Sequence, residues 1–339
     1  MGSHRAAAPL TVALCVAALL TACGASDDTR PAPAPTTAES TPSTPATSTP
    51  TTAGPARIVS TDEIDARTVD LTIDSPALAA QAKVRLLLPA QSTRTPESGW
   101  PVLYLLHGCC DTYHSWTRNT DVAELTADAG VLVVMPEGGR VGFYSDWLDG
   151  PGWETFHLAE LPQLLAGSYD AGDRHAIAGL SMGGLGALSY AARHPDMFAA
   201  AASFSGIVHT QLSPQVSQNY LGLLRSEGAD PTALWGDPID NAATWAEHNP
   251  YELAAKLLGT SVYLSVGDGR PGPLDPPGAS VDELETRLQA ENVALRDRLS
   301  ELGVEVTADF CGPGTHTWPY WQRALRDAWP MLSAALTQP

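Results

Sequence analysis

Residues 175–184 read His175-Ala176-Ile177-Ala178-Gly179-Leu180-Ser181-Met182-Gly183-Gly184, and a helix-like stretch continues to Arg193. The strand-like segment His175–Ala178 therefore runs straight into the pattern Gly-x-Ser-x-Gly and out into a helix. A strand that turns this sharply crowds the main chain around the central residue. Glycines on both sides remove clashing side chains and leave the serine projecting above a sheet. The new helix also aims backbone N–H groups at any negative charge developing there. Ser181 is expected to act as a nucleophile, with the Met182 N–H as one donor to an oxyanion; a small-residue packing turn is the plainer alternative.

Working outward, Thr68–Ile73 alternates as a strand and Ala82–Leu88 follows it, an antiparallel pair at the start of the sheet. Short apolar runs recur at Val102–Leu106, Val131–Met135, Ala200–Phe204 and Ser261–Val266. Runs apolar on both faces indicate strands covered on both sides, as in a mostly parallel sheet. Val281–Leu302 carries Leu284, Leu288, Leu295, Leu299 and Leu302 at near-helical spacing, with Gly303 as a stop. Ile207–Asn249 is looser and broken by Pro214, Gly228, Pro231, Gly236 and Pro238, an excursion of the kind that caps a site. The expected fold class is α/β: an α/β-hydrolase fold whose mostly parallel central sheet is flanked by helices, with an insertion between the nucleophile helix and the late strands.

A serine hydroxyl needs a base, and in this architecture the order along the chain is serine, acid, histidine. His316 lies in the loop Gly312–Trp318, after the strand Val304–Phe310, where that base belongs. His157, His175, His209 and His248 precede the expected acid, and His194 ends the helix after the nucleophile. The usual place for the acid is right after the strand Ser261–Val266, which is Asp268; Glu283 and Glu285 on the following helix are alternatives. His107-Gly108 directly follows the strand Val102–Leu106, so the Cys109 N–H is the expected second oxyanion donor. His107 itself is expected to shape that loop. A metal reading of His107, Cys109, Cys110 and His114 finds no second ligand group at matching spacing, and no metal or cofactor is expected.

From about Lys83 to the C-terminus the chain resembles the antigen 85 mycolyltransferases and the related esterase D-like esterases. The segments that carry the resemblance are Tyr104–Gly108, Val134–Gly139, Phe143–Trp147, Trp153–Phe156, Gly179–Met182 and Gly314–Trp321. In that family the acid is a glutamate on the helix after the late strand, preceded by leucine. Leu284-Glu285, with Asn292 and Asp297 at later offsets, matches it, so the resemblance implies Glu285 as the acid ahead of Asp268. It also implies Cys109 and Met182 as the oxyanion donors, and the matched segments make His107, Asp146, Trp147 and Trp318 candidates for the substrate pocket. Where the mycolyltransferases have an aspartate in the first loop this chain has His107, and Cys109-Cys110-Asp111-Thr112 differs too. Trehalose recognition is therefore not carried over.

The chain has 339 residues and a formal charge of −19, of which the first 56 residues contribute little. So acidic a folded part repels phosphate backbones and excludes nucleic acid as a natural partner. Arg5 followed by apolar Leu10–Leu20 has the length of a signal-peptide core, too short to span a bilayer unaided. Leu20-Thr21-Ala22-Cys23 resembles a bacterial lipobox, with Cys23 acylated. Residues 1–23 are thus read as a lipoprotein signal peptide, 24–56 as a disordered Pro/Thr/Ala/Ser linker that cannot bury enough surface to order itself, and 57–339 as the catalytic domain. The expected location is outside the cell membrane, held there by the lipid or released. Cys109, Cys110 and Cys311 remain, an odd number in an oxidising compartment. A Cys110–Cys311 bond, tying the oxyanion loop to the histidine loop, is the expected pairing; Cys109–Cys311, a vicinal Cys109–Cys110 bridge and three reduced thiols are the alternatives.

Together these readings predict a serine carboxylic-ester hydrolase that works through an acyl-enzyme on a small-molecule, lipid or glycolipid ester. The alternatives are an acyltransferase of the mycolyl or diacylglycerol type, passing the acyl group to a sugar or glycerol hydroxyl, and a surface-binding protein on an inactive scaffold. Intact Ser181 and His316 weigh against the last.

Overall fold

The computed structural model describes residues 54–90 and 96–337. The segment expected to be a leader (1–23), the expected acylation site Cys23 and residues 24–53 of the expected linker lie outside the described residues. Nine strands form one sheet in the order β1-β2-β3-β5-β4-β6-β7-β8-β9. They are β1 (Arg57–Glu63), β2 (Thr68–Ser75), β3 (Ala80–Leu87), β4 (Trp100–Leu106), β5 (Leu132–Pro136), β6 (Ala171–Leu180), β7 (Phe198–Phe204), β8 (Ser261–Val266) and β9 (Val306–Phe310). The pairs from β1 to β3, and β3 with β5, are antiparallel; from β5 through β4 to β9 every pair is parallel.

The central strands sort their side chains by parity, as the pleat requires. Val102, Tyr104, Leu106, Ile177 and Ala201 enter one buried cluster, while Leu103, Leu105, Ala176, Ala178, Ala200 and Ala202 enter another on the opposite face. Helix α1 (Met182–Arg193) covers the first face through Leu185, Leu188, Ala191 and Ala192. The C-terminal helix α4 (Trp318–Thr337) covers the second through Ala324, Leu325, Ala328 and Leu332. The alanines of β7 bring a helix close on each side of that strand, and each fully buried leucine adds about 1.5–3 kcal/mol.

The excursion after β7 is helical, including α2 (Pro214–Ser226), whose N-terminus is set by Ser213 accepting from the Val216 N–H and by Pro214 at its first position. The leucine-patterned helix is α3 (Glu283–Glu301), with Gly303 beyond its end at φ 73°. Leu284 is 40% exposed, so it lies off the buried stripe on which Leu288, Leu295 and Leu299 sit. Strand β1 was not foreseen: only Ile58 in it is half-buried, and an edge strand so exposed carries no apolar alternation to read. Among the described residues no helix is long and apolar enough to cross a membrane.

Because β4 and β6–β9 run parallel, the loops that follow them all open at one edge of the sheet, where ligands of such sheets bind. Those loops hold His107, Ser181, Ser205, Gly267 and His316.

Candidate active site

Ser181 sits at the turn from β6 into α1 with φ 54° and ψ −118°, a conformation costly for a side-chain-bearing residue. Its main chain is over-determined. The Ser181 N–H donates to Phe204 O at 2.9 Å, and its carbonyl accepts from Gly184 at 3.0 Å and Ile207 at 3.1 Å. The two flanking glycines are required by close approach: a Cβ on Gly179 would stand 2.1 Å from Gly183 O, and one on Gly183 would stand 2.5 Å from Leu106 O.

From Ser181 a chain of hydrogen bonds crosses three loops. Ser181 Oγ is 3.0 Å from His316 Nε2, and His316 Nδ1 is 2.8 Å from Glu285 Oε2. Glu285, 1% exposed, spends its other oxygen on two donors, the Ser205 hydroxyl and the Gly267 N–H, each at 2.7 Å. Ser205 in turn accepts from Trp321 Nε1 at 3.1 Å, and the Trp321 ring meets the His316 ring edge-on at 4.9 Å. With the carboxylate an acceptor, Nδ1 carries the imidazole proton and Nε2 is left to accept from the serine hydroxyl; this tautomer is assigned from the network. The set can pass a proton from Ser181 to His316 and steady the resulting cation with a buried charge.

Asp268 does not join it. Its carboxylate accepts from the Arg270 N–H at 2.9 Å and from the guanidinium at 2.5 and 2.9 Å, and that pairing holds it below the usual carboxylate range.

The cleft at Ser181, about 340 Å³, is lined by Gly108, Cys109, Asp111, Leu180, His316, Thr317, Trp318 and Trp321. Of the pocket candidates, Trp318 is in this lining, edge-on to Trp116 at 5.4 Å and to Trp321 at 5.2 Å. His107 is buried behind it: Nδ1 donates to Gly108 O at 2.8 Å, Nε2 accepts from the Gly138 N–H at 2.9 Å, and the Tyr144 hydroxyl donates to its carbonyl. Asp146 and Trp147 stand away from the lining. Asp146 accepts from the Thr155 N–H and hydroxyl, and Trp147 Nε1 donates to Gly142 O, so both build the turn around Gly152. The excursion after β7 contributes no residue to the lining. Among the described residues neither the Cys109 N–H nor the Met182 N–H, the first of α1, donates to a turn or loop carbonyl.

The expected Cys110–Cys311 bond is corrected. Cys109 is bonded to Cys110, and Cys311 is a free thiol whose Sγ turns toward Val266 O at 3.7 Å. Cys110 adopts φ 66° and its N–H donates to Arg140 O, which commits its loop to the β5 side, while the Cys311 N–H donates to Val266 O at the end of β8. Burial pushes the Cys311 thiol up. Among the described residues no three His, Cys, Asp or Glu side chains converge as a metal-binding group.

Sequence reasoning overlooked Ser205, Asp275, Asp282 and Glu291. Asp275 clamps the histidine loop by accepting from Tyr320 OH at 2.8 Å and from the Thr315 hydroxyl. Glu291 is buried beneath the excursion, accepting from Tyr220 OH at 2.5 Å and from the Val208 and His209 N–H groups at 3.1 Å; burial pushes its carboxyl up to about 7. Asp282 had a legible signal: Asp-Glu-Leu-Glu over 282–285 has the spacing of a capping box.

The model of the esterase family, described as "Putative esterase", matches residues 75–332. The diacylglycerol acyltransferase/mycolyltransferase Ag85B of Mycolicibacterium smegmatis is 32% identical over 287 residues, covering 78% of this chain and 84% of that protein. The Ag85A protein of Mycobacterium leprae is 31% identical over 283 residues, covering 78% and 82%. Among solved structures, Mycobacterium tuberculosis MPT51 superposes with a TM-score of 0.68 at 26% identity, over 80% of this chain and all of that one. A fluorophosphonate-binding serine hydrolase of Staphylococcus aureus gives 0.63 at 21% identity over 83% and 99%, a likeness of fold.

Proposed function

This chain belongs to the esterase family, and from that premise we propose that it cleaves carboxylic esters with Ser181 as nucleophile, His316 as general base and Glu285 as the acid that orients and steadies the imidazolium. The observation that carries the reading is the continuous hydrogen-bonded run from Ser181 Oγ to His316 at 3.0 Å and on to Glu285 at 2.8 Å, opening into a cleft. Ser181 attacks the ester carbonyl while His316 takes its proton. The Cys109 and Met182 N–H groups receive the oxyanion; His316 returns the proton to the leaving alcohol, and an acyl-Ser181 ester remains. A second nucleophile, activated by the same histidine, then releases the acid or a new ester.

Water is the acceptor we favour. In this chain the first-loop side chain, His107, is 1% exposed and spent on the Gly138 and Gly108 main chain, so it offers a sugar nothing to bind. Transfer to a sugar or glycerol hydroxyl is the second reading, supported by the relatives named as diacylglycerol acyltransferase/mycolyltransferases. We place the catalytic domain at 57–339, behind the linker 24–56, exported by residues 1–23 and tethered through an acylated Cys23; the substrate is a small-molecule, lipid or glycolipid ester.

The test is hydrolysis of p-nitrophenyl esters of increasing acyl length by the wild type and Ser181→Ala, with glycerol or trehalose as a competing acceptor and products read by mass spectrometry. The proposal expects free acid as the main product and an inactive variant. An acyl-glycerol or acyl-trehalose product in excess of acid selects the second reading. A Ser181→Ala protein as active as wild type would sink both.

A further inference from the structure

Helix α3 starts at Glu283, and its N-cap, Asp282, uses its two carboxylate oxygens on different parts of the molecule. Oδ1 accepts from the Leu284 N–H at 3.0 Å and the Glu285 N–H at 3.1 Å, first-turn donors with no acceptor inside the helix. Oδ2 reaches the histidine loop and accepts from the His316 N–H at 3.0 Å. Asp282 is itself held, its N–H donating to Gly269 O at 2.7 Å, while the Gly269 N–H donates to Gly314 O at 2.9 Å. One half-buried carboxylate therefore fixes the main chain of both residues whose side chains meet at 2.8 Å. A helix cap needs one oxygen, and serine caps about as well as aspartate. The second oxygen does something that capping does not require.

We infer that Asp282 is a positioning residue for the reaction: it sets the spacing of Glu285 and His316, and through it where His316 Nε2 stands against Ser181 Oγ. The inference rests on the triad reading above. His316 must hold its place while it takes a proton and gives it back, and a displacement of about 1 Å in such a group costs on the order of 100-fold in rate. Among the described residues no other hydrogen bond of the His316 main chain ties it to α3.

Two substitutions keep the cap and remove the bridge. In Asp282→Ser the hydroxyl still reaches the first-turn N–H groups but is too short for His316. In Asp282→Asn the amide oxygen caps while its NH₂ faces the His316 N–H, donor against donor. In the full-length protein kcat on a p-nitrophenyl ester should fall roughly tenfold in Asp282→Ser and further in Asp282→Asn, with KM nearly unchanged. The rate of fluorophosphonate labelling of Ser181 should fall in step. Melting temperatures should stay within about 3 °C of wild type, whereas Asp282→Ala, which loses cap and bridge together, should melt lower. Wild-type kcat in both cap-retaining variants overturns the inference and leaves Asp282 a cap alone. A kcat loss accompanied by the melting loss of Asp282→Ala overturns it as well, since the role is then structural. Activity surviving in Ser181→Ala, measured alongside, removes the triad reading and this inference with it, an outcome distinct from the other two.

Discussion

Exchanging Glu285 for glutamine replaces one oxygen by an NH₂ group and should lower kcat about 10³–10⁴-fold. The size follows from what surrounds the carboxylate. Oε1 accepts from the Gly267 N–H and the Ser205 hydroxyl, both at 2.7 Å, and the Gly267 donor is main chain that cannot rotate away. A glutamine must therefore turn its oxygen to Gly267 and its NH₂ to His316 Nδ1. That forces the imidazole proton onto Nε2, the atom that has to accept from Ser181 at 3.0 Å. The charge that steadies the imidazolium is lost in the same step. The fall corresponds to about 4–5.5 kcal/mol of transition-state stabilisation. Initial rates on a short-chain p-nitrophenyl ester, compared with Asp268→Asn, give the test, and circular dichroism controls for folding. Asp268→Asn should stay within a few-fold of wild type, because that carboxylate is committed to Arg270. A Glu285→Gln protein that keeps more than about a tenth of wild-type kcat would refute the reasoning, as would an equal loss in Asp268→Asn.

Glu291 gives a prediction in pH. Its carboxyl is raised from 4.5 to about 7, mainly by burial, so the native protein holds a proton that the unfolded chain has released. Stability from this group is complete below pH 4.5 and is lost as pH rises through 7, by about 3 kcal/mol in all. Glu291→Gln should remove that slope, seen as a melting temperature that climbs relative to wild type as pH rises between those limits; parallel curves would contradict it. Gly183→Ala places a methyl group 2.5 Å from Leu106 O and 2.6 Å from His107 O, both main chain. It should cost about 2–3 kcal/mol of stability and pull α1 off the end of β4, and an unchanged melting temperature together with full kcat would show that the turn yields more easily than these contacts imply.

The parts of this site legible in the sequence are those in which chemistry and local geometry coincide. Gly179-Leu180-Ser181-Met182-Gly183 can be read because each glycine answers a main-chain approach that no other residue tolerates, and the central strands because both their faces are apolar. Residues alone favoured Asp268 as the acid, since a carboxylate right after a late strand is well placed. What they could not reveal is that Arg270, two positions on, folds back to take it, while Glu285 turns inward from the first turn of α3. The residues offered Glu285 only as an alternative, and it was the family resemblance that put it ahead of Asp268. Asp146 and Trp147 fall outside the lining of the cleft at Ser181, and a matched motif does not say whether a side chain faces the cleft or the turn that supports it. The cysteine pairing failed for a similar reason: proximity between loops far apart in sequence is set by the sheet, and the sheet gives Cys110 no route to Cys311.

Besides the Asp275 and Asp282 carboxylates, three main-chain hydrogen bonds attach the histidine loop to β8 and the loop after it. Cys311 N–H donates to Val266 O, Asp268 N–H to Gly312 O and Gly269 N–H to Gly314 O. Such bonds are indifferent to which side chain each residue carries. Apart from Asp275, which clamps that loop, and Gly272, where a Cβ would stand 2.3 Å from Pro313 O, residues 270–281, with Leu274 and Val281 turned to solvent, can therefore drift in composition without displacing His316. In evolutionary terms these remaining positions are cheap to vary, and a mutant library confined to them should leave His316 where it stands.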